Sequence, residues 1–194
     1  MILSFTPLMK KRLTRRAQTM IEQSLQYFPE LNGKNITVGY TRAHLGSASL
    51  SYPAGKEIRL IIRLKVRKLS YQTIGHELTH LVQGLSRGNR RVRSGAITSS
   101  IPSGEKQCDI WTLARDQLFC DDAPTYLRLP RATREHWLEY AEAIRQLCIA
   151  AIEKRKRHRL YIRWLESQIR RLTKTQRPAI DAPRQLSLPF SEPR

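Results

Sequence analysis

Apolar side chains recur at Leu8, Leu13, Ala17, Met20, Ile21, Leu25 and Phe28. This is close to the spacing of one helical face and predicts a first helix over 7–28, with Pro7 suited to its first turn and Pro29 ending it. The pattern then changes to short β-branched runs, "ITVGYTR", "GSASLSYP" and "EIRLIIRL", punctuated by Gly, Pro and Asn. These predict three strands, with "SYPAGKE" as the hairpin between the second and third. Helical spacing returns over 70–84, from a Ser70 cap to Gly84, with Leu78, Leu81 and Val82 on the core side. The Gly- and Ser-rich stretch 85–103 carries Arg87, Arg90, Arg91 and Arg93 and has the length of a functional or disordered loop. "PSGEKQCDIWTLARDQLF" is the next helix, capped by Ser103.

From about 132 to 174 the pattern runs through Trp137, Ala141, Ile144, Cys148 and Ala151, then Ile162, Leu165, Ile169 and Leu172. The charged run "EKRKRHR" at 153–159 interrupts it and leaves open one bent helix or two. Beyond Arg177 the chain is Pro-rich and reads as disordered. The expected fold class is α+β: a small three-stranded, mostly antiparallel sheet with helices, then a long basic helical extension and a disordered tail. The expected divisions are a core at 1–130, the extension at 131–176 and the tail at 177–194.

A length of 194 residues suits one compact domain with extensions. Mean hydropathy is −0.49, and no apolar run approaches the ~18–20 residues of a membrane span. In "MILSFTPLMKKRLTRR" the apolar patch precedes the charges, the reverse of a secretory signal, so the expectation is a cytoplasmic protein with no membrane partner. Cys108, Cys120 and Cys148 are odd in number and form no C-x-x-C, which argues against a disulfide framework or a thiolate zinc site. Charge changes the picture most. Lys and Arg number 35 against 16 Asp and Glu, a net +19, with a pI near 10.7. Such a surface attracts polyanions, nucleic acid above all, although a protein can be merely basic.

The chemistry lies in "YQTIGHELTHLVQG". His76, Glu77 and His80 form H-E-x-x-H on a helix, so two imidazoles one turn apart can aim at one Zn2+ ion, with Glu77 beside it as general base. A catalytic zinc needs a third protein ligand and an open position. His136 and His158 lie far along the chain and His44 in a turn. Glu105 is better placed, near the start of the next helix, with Asp109 four residues on to accept a ligand histidine's second N–H. The alternative for Glu105 is an exposed first-turn carboxylate that favours the helix dipole. Tyr126, Arg115 and Tyr52 are the candidate oxyanion stabilisers, and strand 57–64 is a candidate for binding substrate as an added strand.

"HELTH" followed by "EKQCD" resembles the gluzincin metalloproteases, with H-E-x-x-H and then E-x-x-x-D. The resemblance implies His76, His80 and Glu105 as zinc ligands, Glu77 as base and Asp109 as the residue supporting a histidine. The strands ahead of the helix are similar to the SprT-like or minigluzincin core, although SprT-like proteases take a third histidine soon after the motif and none lies there in this chain. The implied activity is zinc metalloendopeptidase on a protein substrate.

Between 154 and 177 ten cations face Glu166 alone. On one continuous helix Lys156, Arg159, Arg163, Arg170 and Lys174 share a side, opposite Tyr161, Leu165, Ile169 and Leu172, as a row for a phosphate backbone without sequence specificity. In the tail, "QLSLPF" resembles the bacterial sliding-clamp-binding peptide, with Gln185, Leu186, Leu188 and Phe190 as its contacts. The layout is similar to Spartan-like proteases and implies cleavage of proteins at or near DNA, in association with the nucleoid. Two alternatives stay open: a regulatory protease for one partner such as a repressor, and a non-catalytic nucleic-acid- or clamp-binding adaptor.

Overall fold

In the computed structural model, which describes residues 2–51, 58–88 and 101–175, four short strands make one mixed sheet in the order β1-β2-β4-β3. They are β1 (Ile2–Phe5), β2 (Asn35–Tyr40), β3 (Gly46–Ser51) and β4 (Arg59–Leu64). β1 and β2 pair in parallel, as do β2 and β4, and only β3 and β4 are antiparallel. The α+β class holds, but the sheet has one strand more than the three expected and is not mostly antiparallel. The missed strand is "ILSF", too brief to show a period of its own. Because it precedes the first long helix, that helix becomes a crossover, and a crossover joins parallel strands. β4 lies between β2 and β3 with both sides paired, so it has no free edge for a substrate; the edge strands are β1 and β3.

The expected helix over 7–28 is two: α1 (Pro7–Lys10) and α2 (Arg15–Gln26). Thr14 Oγ1 accepts from the Ala17 amide at 3.1 Å, and this side-chain cap restarts the helix. α3 (Tyr71–Gly88) runs one turn past Gly84, and Ser70 Oγ accepts from the Thr73 amide at its start. α4 (Glu105–Arg115) begins later than expected, on Gly104 at φ 120° rather than on Ser103, and a separate 3-10 turn follows at Gln117–Cys120.

α5 (Arg131–Glu135) leads to α6 (Trp137–Arg155) and α7 (Tyr161–Thr175). The extension is therefore broken at 156–160, where the charged run offers no apolar residue to bury. Lys156 and Arg159 lie in that turn, while Arg163, Arg170 and Lys174 stand exposed on α7. The five do not form one helical row. The tail residues Gln185, Leu186, Leu188 and Phe190 lie outside the described residues, as do Tyr52 and Arg90, Arg91 and Arg93. No described helix is long and apolar enough to cross a membrane.

Two apolar cores share the chain. α2 and α3 bury Met20, Ile21, Leu25, Ile74, Leu78 and Leu81 against Ile36, Val38, Leu60 and Ile62 of the sheet. α4 turns Ile110 and Leu113 into a second core with Tyr140, Ile144, Cys148, Leu165 and Ile169 from α6 and α7. The sheet-borne helix and the helical layer meet where α3 crosses α4. There Thr79 Oγ1 and Thr112 Oγ1 are 2.8 Å apart, and Gly75 leaves no room for a side chain. A Cβ on Gly75 would stand 2.6 Å from both Phe119 and Thr112, which are fully buried. Gly75→Ala is therefore expected to destabilise by about 1–3 kcal/mol despite alanine's better helix propensity. Urea denaturation checks this, and a midpoint equal to or above the parent's would show that the crossing has slack.

Candidate metal centre

The two histidines of α3 are one turn apart and their rings meet edge to face, centroids 4.8 Å apart. Each ring has one nitrogen engaged by the protein. His76 Nδ1 lies 2.8 Å from Asp109 Oδ1. His80 Nδ1 lies 3.1 Å from Gln83 Oε1. The Nε2 atoms remain, and both point at one atom, Glu105 Oε2, at 3.0 Å each. Ligands about 2.0–2.1 Å from a tetrahedral ion sit roughly 3.3 Å from one another, so this triangle would need to widen by a few tenths of an ångström to admit one.

Asp109 organises this geometry. Its carboxylate is fully buried and its oxygens are saturated: Oδ1 takes His76 and, at 3.2 Å, the Gln72 amide; Oδ2 takes the backbone N–H groups of Tyr126 and Leu127 at 2.6 and 2.8 Å. A buried acceptor of this kind holds the His76 proton on Nδ1 and frees Nε2. Burial by itself would lower the His76 pKa, but the hydrogen bond and charge of Asp109, then the charge of Glu77 and the hydrogen bond to Glu105, raise it above the usual histidine value. Glu105 feels burial upward, and the two histidine hydrogen bonds outweigh it, holding its carboxyl below the usual range. A proton on Nε2 and a metal ion would compete for one place.

A second donor lies near. His76, His80 and the buried Cys108 form a group that could hold a metal ion, with ligand atoms within 4.8 Å of one another. Cys108 Sγ, however, is 3.2 Å from His80 Nδ1, the opposite nitrogen from the one that meets Glu105. A single imidazole cannot offer both nitrogens to one ion, so the carboxylate and thiol arrangements exclude each other.

Glu77 sits beside the triangle. It is buried, and its Oε2 has no hydrogen-bond partner. Its side chain lies over Gly46 of β3, where a Cβ would come within 2.6 Å of Oε1 and 2.7 Å of Cγ, so a larger residue at 46 would displace this carboxylate. Burial pushes its pKa up to about 7, opposed by the His76 charge and helped by that of Glu105. A buried carboxylate with an orphan oxygen, beside two imidazoles and a carboxylate, fits a site built to receive a cation and a polar ligand.

The cleft over these groups is about 700 Å³ and is walled by Gly46–Leu50 of the β3 edge, by Glu77, His80 and Glu105, and by Tyr126. A smaller recess opens on the other side of Glu77, lined by His44, Leu45, Gln72, Thr73, His76 and Thr125. Tyr126 stacks on His76, ring centroids 5.3 Å apart, and burial with nearby carboxylates raises its pKa, which keeps the phenol protonated. Of the two oxyanion candidates among the described residues, Tyr126 is at the site and Arg115 is not. Arg115 pairs with Glu30 and lies over the Phe28 ring at 4.1 Å.

Sequence reading missed Gln72, Gln83, Cys108 and Gly46. The two glutamines had a readable signal, at i−4 from His76 and i+3 from His80; Gly46 had none. The chain matches no protein-family model, no curated protein and no solved structure.

The Glu77 shift has a measurable sign. Its folded pKa is raised from 4.5 to about 7, so the stability held by the protonated form is complete below the unfolded value and is lost as pH rises through the folded one. In metal-free protein the stability of the parent minus that of Glu77→Gln should fall by roughly 3 kcal/mol between pH 4.5 and 8. Denaturant titrations at several pH values measure it, and a flat difference would mean that Glu77 is solvated.

Proposed function

We propose that this chain is a zinc-dependent metalloendopeptidase whose ion is held by His76 Nε2, His80 Nε2 and Glu105, with the fourth position open. The observation that carries the reading is the convergence of those three atoms beside an unpartnered, buried Glu77 carboxylate. When bound, zinc supplies Lewis-acid chemistry, lowering the pKa of water and polarising a carbonyl.

The rest of the work falls to the chain's own residues. Glu77, poised near neutrality, takes a proton from the attacking water and returns it to the leaving amine. The Tyr126 phenol faces the same cleft and donates to the developing oxyanion. Asp109 and Gln83 hold the two imidazoles in the tautomer that presents Nε2. Gln83 does more, since its amide N–H also reaches Pro102 O at 2.5 Å and so fixes the segment that delivers Glu105. The edge of β3 supports an extended peptide as an added strand. The expectation of a substrate at or near DNA rests on the exposed cations of α7, with the clamp-like tail as a second tether.

A non-catalytic site closed by Cys108 is the second reading, favoured by the sulfur's position beside His80. Cobalt substitution separates the two, because a thiolate ligand adds sulfur-to-metal charge-transfer absorption. We expect one ion per chain without that band; a strong band would place Cys108 on the metal and end the open-site reading.

Activity gives the direct test. Purified protein with zinc should cleave an unfolded substrate or itself, more so with single-stranded or duplex DNA. Chelation should abolish this, and Glu77→Gln should lower it about 10²–10⁴-fold while keeping the ion. Metal-loaded protein that cleaves nothing would leave an adaptor; cleavage indifferent to DNA would indicate a regulatory protease. Gln83→Ala should weaken zinc affinity by about 10–100-fold, read by competition with a chelating dye. Unchanged affinity would remove Gln83 from the centre.

A further inference from the structure

The parallel pairing of β1, β2 and β4 brings their C-terminal ends to one edge of the sheet, and each end releases cations. Lys10, Lys11 and Arg12 follow β1, Arg42 follows β2, and Arg67 and Lys68 follow β4; all six are exposed. The segments are held together. Thr6 N donates to Val38 O, Thr41 N to Leu64 O, and Lys65 N to Leu45 O at 2.9–3.2 Å, while the Arg12 guanidinium lies 5.6 Å over the Tyr40 ring. No carboxylate opposes them from these segments, since no Asp or Glu occurs at 1–21, 31–56 or 58–76.

We propose that this end of the sheet is a nucleic-acid backbone contact belonging to the metal-bearing core itself, separate from the cations of α7. Adjacent strands lie about 4.8 Å apart, so the three segments spread their charges over roughly 10 Å plus side-chain reach, enough to meet several phosphates of one strand. A lipid surface fits less well. Leu8 and Leu45 are the exposed large apolar side chains of the three segments, two single residues on different segments, and interfacial binding needs an apolar face beneath the cations. The surface also adjoins the cleft, because Leu45, tied to Lys65, lines the recess beside Glu77. A nucleic acid here runs past one end of the candidate site. The contact itself requires no metal chemistry, so it stands or falls apart from the peptidase reading.

The test uses the full-length chain carrying Glu77→Gln, so that no cleavage intervenes. Binding to a fluorescent duplex and a single strand is measured across salt for that protein, for a sheet-end variant (Lys10, Lys11, Arg67 and Lys68→Ala) and for an α7 variant (Arg163, Arg170 and Lys174→Ala). The sheet-end variant should lose about tenfold or more in affinity at ~0.1 M salt, and its log–log salt slope on duplex should flatten by about 3. The α7 variant should retain that sheet-end share. In a mutation-free check, DNA should protect Lys10, Lys11 and Lys68 from acetylation. Wild-type affinity and slope in the sheet-end variant would overturn the proposal, as would DNA protecting Lys174 alone. So would phosphatidylserine vesicles protecting the three lysines where duplex does not, which would assign the surface to lipid.

Discussion

The molecule turns on one buried negative charge. Asp109 has no solvent to stabilise it, so its carboxylate must be satisfied from within, and the four groups that do so come from two segments: His76 and Gln72 on α3, and the backbone at Tyr126 and Leu127. A charge in that position is tolerable only while every partner stays in place. The requirement fixes the register of α3 against α4, fastens the 124–127 segment over the cleft, and sets the tautomer of one imidazole. Asp121 does similar work at the start of α3, where its two oxygens accept from the Tyr71 and Gln72 amides at 2.8 and 2.9 Å. Carboxylates thus clamp this helix near its first turn and along its flank, and the candidate centre lies between.

Three of the chain's 16 acids meet at this centre. Outside the centre, carboxylates are sparse and cations crowd the surface. Within it, Glu77, Glu105 and Asp109 stand close to two imidazoles. Each acid has a different environment: Asp109 is saturated with donors, Glu105 is half-exposed and shared between two rings, and Glu77 is enclosed with one oxygen unmet. Placing like charges together under unequal solvation drives their protonation behaviour apart. Burial thus pushes the Glu77 carboxyl up while the histidine hydrogen bonds hold the Glu105 carboxyl down.

Much of this was legible along the chain because it depends on spacing. His76, Glu77 and His80 share a helical face whatever surrounds them, and Glu105 and Asp109 repeat that interval on the next helix. Leu78, Leu81 and Val82 declared the buried side of α3. What escaped was set by tertiary contact. β1 is four residues long and acquires meaning only by pairing with β2; without it the crossover, the parallel pairing and the position of β4 are invisible. Nothing in "GSASLSYP" says that Gly46 must yield to a glutamate side chain. The charged run at 153–159 marks an interruption and leaves one bent helix or two open; what the break at 156–160 overturns is the placing of five cations on a single helical row. Along the chain Cys108 reads only as one of three cysteines without a C-x-x-C, which argues against a thiolate zinc site, because its nearness to His80 arises from the crossing of two helices.

The helical layer also bears on the centre. Glu166 of α7 is nearly enclosed and meets Lys106 at 2.5 Å, and the Tyr161 hydroxyl donates to Gln107. Those two partners are the next residues after Glu105. The helix that carries the exposed cations is thus fastened to the backbone that presents a candidate ligand, through an acid whose isolation in low dielectric would be costly. Cutting the chain ahead of Tyr161 would strand Lys106, unroof the second core and release the first turn of α4. The support of the candidate centre therefore extends through α7.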